Sequence, residues 1–228
     1  LSTKEYLQIQ LGNFEEVINI GKEKLNIAKE NKFMYTTEAW GQSMKDESQF
    51  LGEIGWYYLV KGEVDSAVSF LDEAVSGRGL KIDSIWWNDE LLFSLFFQKQ
   101  YHKCIEFSNR ILSLLDKEKW DDDVILVQKL FPIVVAIASK NQLNIEIEEW
   151  EKALMEKVIK KLESTKSNYN SLSYYLIYKA NNDLTYLNIS HDKLQEDANS
   201  MDIQFSSKYL KYPVQSEIIS DYIRYNEN

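Results

Sequence analysis

Apolar residues recur every three or four positions over most of the 228-residue chain, the spacing that gathers them on one face of an α-helix. From Asn13, the stretch NFEEVINIGKEKLNIAKENK predicts a helix with Phe14, Val17, Ile18, Leu25 and Ala28 as its stripe. Asn13 stands at the N-cap, and Glu15 and Glu16 fall in the first turn, where carboxylates complement the helix dipole. The next run reads as a helix from Thr36 or Thr37 to Gly62, with Trp40, Met44, Leu51, Ile54 and Tyr58 recurring along it. Gly41, Gly52 and Gly55 lie inside. A glycine costs a helix about 1 kcal/mol relative to alanine, so a packing reason is expected.

Helical spacing resumes after Lys61-Gly62-Glu63, and the two runs form IGWYYLVKGEVDSAVSFLDEAV. Leu51, Ile54-Gly55, Tyr58, Ala67 and Leu71 have the spacing of the tetratricopeptide pattern, with Gly62 in the turn and Ala74 beyond. Small residues at 55, 67 and 74 let antiparallel helices approach to about 8–10 Å while bulky neighbours fill the grooves. Residues 51–75 thus resemble a tetratricopeptide unit, which implies a helical hairpin. A second copy is expected over 88–112, where Leu91, Leu92, Leu95, Tyr101, Cys104 and Ile111 take the corresponding places and Asn88 and Ser108 depart from them. An earlier copy would join residues 1–10 to Phe14, Val17 and Gly21. A later one would pair residues 122–140 with a helix whose face is Ile147, Trp150, Leu154, Val158 and Leu162. The intervals are unequal, so divergent hairpins are expected rather than a regular array.

Pro132 interrupts an apolar helical run and should kink or divide it near Phe131. The pieces VILV and IVVAI also read as buried strands. Residues 164–171, STKSNYNS, are the best candidate for an internal boundary in what otherwise reads as one helical domain, 1–228. Alternation in MDIQFSS suggests a short extended segment near 202–206. Pro213 suits a first helical position, with Val214, Ile218 and Tyr222 facing inward. The expected fold is all-α: antiparallel helical hairpins, divergent tetratricopeptide-like, stacked in one layer.

Composition agrees with helix, since 8 Gly and 2 Pro supply few turns for an all-β chain. Cys104 is the single cysteine, so no internal disulfide forms and a reducing compartment is expected. The longest apolar run, 131–138, is far too short to cross a bilayer, and the first twenty residues hold no hydrophobic core of secretory type. A soluble, cytoplasmic protein without a membrane partner is the expectation. The net charge is −10, of which −6 falls in residues 1–76. Such a field repels phosphate backbones, which argues against nucleic acid as a partner. It steers basic partners inward, and it also serves solubility.

Motifs for catalysis are sparse. His102 and His191 are the only histidines, and His102 and Cys104, two apart on a helix, point to different faces. The chain contains no glycine-rich phosphate loop, no Gly-x-Ser-x-Gly and no His-Glu-x-x-His. A non-enzymatic protein with no catalytic residue, no metal and no cofactor is expected. Two clusters suggest contact with a partner. Asp121, Asp122 and Asp123 can cap a helix and complement its dipole, or meet Lys and Arg of a partner. In DSIWWNDE, Trp86 and Trp87 lie about 100° apart on a helix and cannot face the same core. Either one is partly exposed beside Asp89 and Glu90, as at binding surfaces, or both are buried between hairpins. Trp86, Trp87, Asp89, Glu90, Asp121, Asp122 and Asp123 are therefore the candidate partner-binding residues.

The order of features over about residues 85–215 is similar to the helical immunity proteins of bacterial polymorphic toxin systems. It runs from Trp87 into LLFSLFF, then WEKALMEKVIKKL and LTYLNI, with DIQFSSKYLKYP last. The resemblance implies a bacterial protein that binds one cognate toxin and blocks it, the toxin being basic if it meets the acidic surface. The rival expectation is a tetratricopeptide-like scaffold or sensor holding a peptide in its concave groove.

Overall fold

A computed structural model describes residues 2–31, 34–38, 41–78, 85–117, 122–165 and 169–226. The fold is all-α. In chain order the described elements are α1 (Ser2–Leu11), α2 (Phe14–Asn31), β1 (Met34–Glu38), β2 (Gly41–Lys45), α3 (Glu47–Val60), α4 (Val64–Arg78) and α5 (Ile85–Phe97). Then follow α6 (Tyr101–Leu115), α7 (Asp122–Gln128), α8 (Leu130–Leu143), α9 (Glu149–Thr165), α10 (Ser171–Asn181), α11 (Leu184–Ser200), α12 (Ile203–Tyr209) and α13 (Pro213–Asn226). Contacts divide the chain into two compact units, one of residues 1–94 with 195–217, the other of 95–194 with 218–228.

The first unit is built on the α3–α4 hairpin. Leu51, Ile54, Tyr58, Ala67, Leu71 and Ala74 are all buried. A Cβ on Gly55 would stand 2.6 Å from Leu71 Cγ and 3.3 Å from the Ala67 carbonyl oxygen, so only glycine permits this approach. Gly62 turns the chain with φ +75°, a left-handed conformation that glycine adopts without cost. Against α3 lies α2, whose Gly21 leaves room for Ile54. Lys61, almost wholly buried, closes the hairpin by bonding Glu15 at 2.9 Å and Glu63 at 2.6 Å. Burial alone would lower its pKa, but the bonds to Glu63 and Glu15 outweigh that and hold the ammonium charged. The segment 195–217 completes this unit. Tyr209 packs on Phe14 at 6.1 Å, Pro213 covers Gly62, and Gln215 Nε2 donates to the Val60 carbonyl at 3.0 Å.

Two expectations fail in this unit. The helix expected from Thr36 or Thr37 begins only at Glu47, and an antiparallel hairpin pairing Met34 with Lys45 and Glu38 with Gly41 precedes it. The start is set by Asp46: its side chain accepts from the Gln49 N–H at 3.1 Å, while Gln49 Oε1 accepts from the Asp46 N–H at 3.0 Å. That reciprocal capping box satisfies two donors that a helix start otherwise leaves open. The extended segment expected near 202–206 is instead α12. Asp202 caps it by accepting from the Gln204 N–H at 3.0 Å, and Ile203 is 88 % exposed. The alternation of Ile203 and Phe205 therefore does not mark a buried strand face.

The second unit surrounds α8. Leu130 and Ile133 through Ala138 are all buried, as expected of a helix apolar on every side. Its packed neighbours are α6, α10, α9 and α7. Because α6 takes α8 as its main partner, the repeat expected over 88–112 is not a self-contained hairpin. VILV and IVVAI are helical, and the expected division occurs: α7 ends at Gln128 and α8 begins at Leu130. Pro132 then falls in the first turn of α8, where its missing N–H removes no helical bond. Asn144, left-handed at φ 53°, ends α8, and the Ile145 N–H returns to the Lys140 carbonyl at 2.9 Å. The buried pair Lys140–Glu151, at 2.6 Å, ties α8 to the start of α9. Residues 166–168, within the candidate boundary 164–171, lie outside the described residues.

Candidate functional site

The first turns of α5 carry Trp87, Asn88, Asp89 and Glu90. The Trp87 ring lies across Gly52 of α3, where a Cβ would meet Trp87 Cδ2 at 2.3 Å; this is the packing reason for that glycine. Trp87 itself is half-buried. Asn88 is 1 % exposed, and its Oδ1 receives no hydrogen bond. Glu90 is half-buried as a residue, yet its Oε2 is shut off from water and also receives no hydrogen bond.

Electrostatics follow from that burial. Desolvation pushes the Asp89 carboxyl well above the usual carboxylate range. It does the same to Glu90, and the neighbouring charges of Asp89 and Glu53 add to the effect. Tyr57 feels the same surroundings: burial raises its phenol, with Glu5, Glu53 and Glu90 contributing. Glu5 also bonds the buried Lys24. Chemically, the surroundings favour the protonated, neutral form of both carboxyls.

The acidic candidates at 121–123 belong to the second unit. Asp123 is exposed on α7 and bonds Lys161 of α9 at 2.6 Å. Asp121 lies outside the described residues, as do the side chains of Trp86 and Asp122. Cys104 is buried on α6, where burial pushes its thiol up to about 12, while His102 is exposed. A thiol so reluctant to ionise is no nucleophile. Among the described residues, no three His, Cys, Asp or Glu side chains are grouped to hold a metal ion, and no helix is long and apolar enough to cross a membrane.

A groove in the second unit has no counterpart among the sequence candidates. It encloses about 430 Å³ and runs between Asn109, Leu112 and Ser113 of α6 and Trp150 and Leu154 of α9; the Asp116–Lys129 ion pair also lines it. The helical period places Trp150 on one face with Ile147, Leu154, Val158 and Leu162. Val158 and Leu162 are buried, but Trp150 is 50 % exposed and its Nε1–H donates to Glu148 Oε2 at 2.7 Å. The available signal was local: Trp150 sits in the first turn of its helix among Glu148, Glu149 and Glu151.

Comparison with protein-family models, with curated proteins and with solved structures finds no match.

Proposed function

We propose that this chain is a non-enzymatic protein-binding protein of immunity type, which holds a cognate basic toxin and blocks it in the bacterial cytoplasm. The observation that carries this reading is the state of Glu90, a carboxyl whose Oε2 is buried without a hydrogen-bond donor. An unsatisfied buried acceptor costs about 1–3 kcal/mol. A partner's lysine or arginine that displaces the packing over Oε2 would supply the missing donor, and the half-buried Trp87 in the same turns of α5 offers the aromatic surface that binding hot spots favour. The net charge of −10 supports the reading by steering basic partners toward the chain.

A second reading is favoured by the close α3–α4 approach at Gly55, which suits a tetratricopeptide-like scaffold that holds a peptide. One experiment separates the two. The tagged chain and its Glu90→Gln variant are co-expressed with the product of the neighbouring gene and recovered. A one-to-one complex with a basic toxic domain, weakened in the variant, is expected. Recovery of short peptides or of several large proteins would favour the scaffold instead.

A further inference from the structure

The groove beside Trp150 is shaped for a flat cation. The indole N–H is held by the Glu148 carboxylate at 2.7 Å, so the ring is fixed in place with negative charge at its edge. No Lys or Arg among the described residues pairs with Glu148. The hold is itself anchored. Glu151, 1 % exposed, accepts from the Glu148 N–H at 2.9 Å and from Lys140 Nζ at 2.6 Å, which secures the backbone just before Trp150. A guanidinium stacked on this ring gains a cation–π contact and lies near a carboxylate. Leu112 and Leu154 offer apolar surface for the methylene stem, and the Asn109 amide oxygen and Ser113 hydroxyl can accept guanidinium N–H bonds. At the other wall Asp116, 65 % exposed, already neutralises Lys129 and has further lone pairs open to solvent.

We propose that this groove seats an arginine side chain of a basic protein segment. The Glu148 carboxylate at the ring edge and the exposed Asp116 at the opposite wall favour such a segment over an anionic ligand, and the volume of about 430 Å³ falls within the range of pre-formed ligand sites. The seat requires basic character in the partner and not that the partner be a toxin.

The test uses the full chain labelled with ¹⁵N. Its six tryptophans give six indole signals, of which Trp150 is assigned with Trp150→Phe. Acetyl-Arg-Ala-Arg amide is titrated against the chain, with acetyl-Glu-Ala-Glu amide and free arginine as controls. The Trp150 signal should move saturably with the arginine peptide, weakly with free arginine and not at all with the glutamate peptide. In Glu148→Gln the affinity should fall about two- to fivefold, the loss that goes with removing one exposed carboxylate partner of the guanidinium. Circular dichroism of both variants shows whether the helices persist. The proposal is overturned by a Trp150 signal that stays put, by shifts that never saturate, by an unchanged affinity in Glu148→Gln, or by free arginine binding as tightly as the peptide. A basic toxin that binds without moving the Trp150 signal would also remove the seat from that complex, while leaving the immunity reading intact.

Discussion

At the scale of single residues, burial makes Glu90 and Asp89 sensitive to pH. In the folded chain both carboxyls bind their protons more tightly than an ordinary carboxylate does. Such groups cost nothing below the usual carboxylate range, and they remove stability as pH rises from there toward their folded values. Glu90→Gln should therefore raise the thermal midpoint at pH 7 and leave it close to that of the parent near pH 4. Thermal melts of both proteins at the two pH values check this; equal midpoints at pH 7 would mean that Glu90 is solvated after all. The composition of this cluster was legible, since adjacent tryptophans followed by two acids stand out in the chain. Where Trp87 packs was not, because the glycine that admits it lies 35 positions away at Gly52. Trp150 misled for the opposite reason. Helical period placed it with Val158 and Leu162, but only the deeper part of α9 follows that face inward.

Helices carry most of what a one-dimensional pattern can convey, because their contacts recur at a fixed interval. The α3–α4 hairpin was readable down to Gly55, whose role is the approach to Leu71 at 2.6 Å from an added Cβ. Gly55→Ala gains about 1 kcal/mol of helix propensity but overpacks the contact by about 1–3 kcal/mol, so a net loss of stability is expected. Urea unfolding measures it, and a variant as stable as the parent would show that Leu71 can move aside. The β1–β2 hairpin escaped because Trp40, Met44 and Leu51 happen to continue a helical interval through it. Asp46 and Gln49 already spelled the true start of α3. Likewise Asp202 announces α12, while the two-residue alternation of Ile203 and Phe205 points the other way.

At the scale of the whole molecule, neither compact unit is a continuous stretch of chain. The first takes in 195–217 after a gap of a hundred residues, and the second takes in 218–228. Regular repeat arrays keep contacts between sequence neighbours, and folding in them propagates from one repeat to the next. Here a truncated chain ending at residue 194 would lose Tyr209 from Phe14, Pro213 from Gly62 and the Gln215 bond to Val60. That truncation should lower the thermal midpoint and the helical signal by more than the missing residues account for. A midpoint equal to that of the full chain would make 195–217 dispensable to the first unit. These long-range closures were not legible, since no local period encodes a partner so far along the chain.

The burial of Cys104 gives the molecule an internal chemical clock. A thiol pushed up to about 12 and closed off from solvent resists alkylation while the chain is folded. Once α6 leaves α8, the same sulfur reverts to an ordinary reactive cysteine. With only one such atom in the chain, the rate at which a maleimide or iodoacetamide tag accumulates reports how often the second unit opens. The native protein thus records its own breathing in mass units, with no substitution needed.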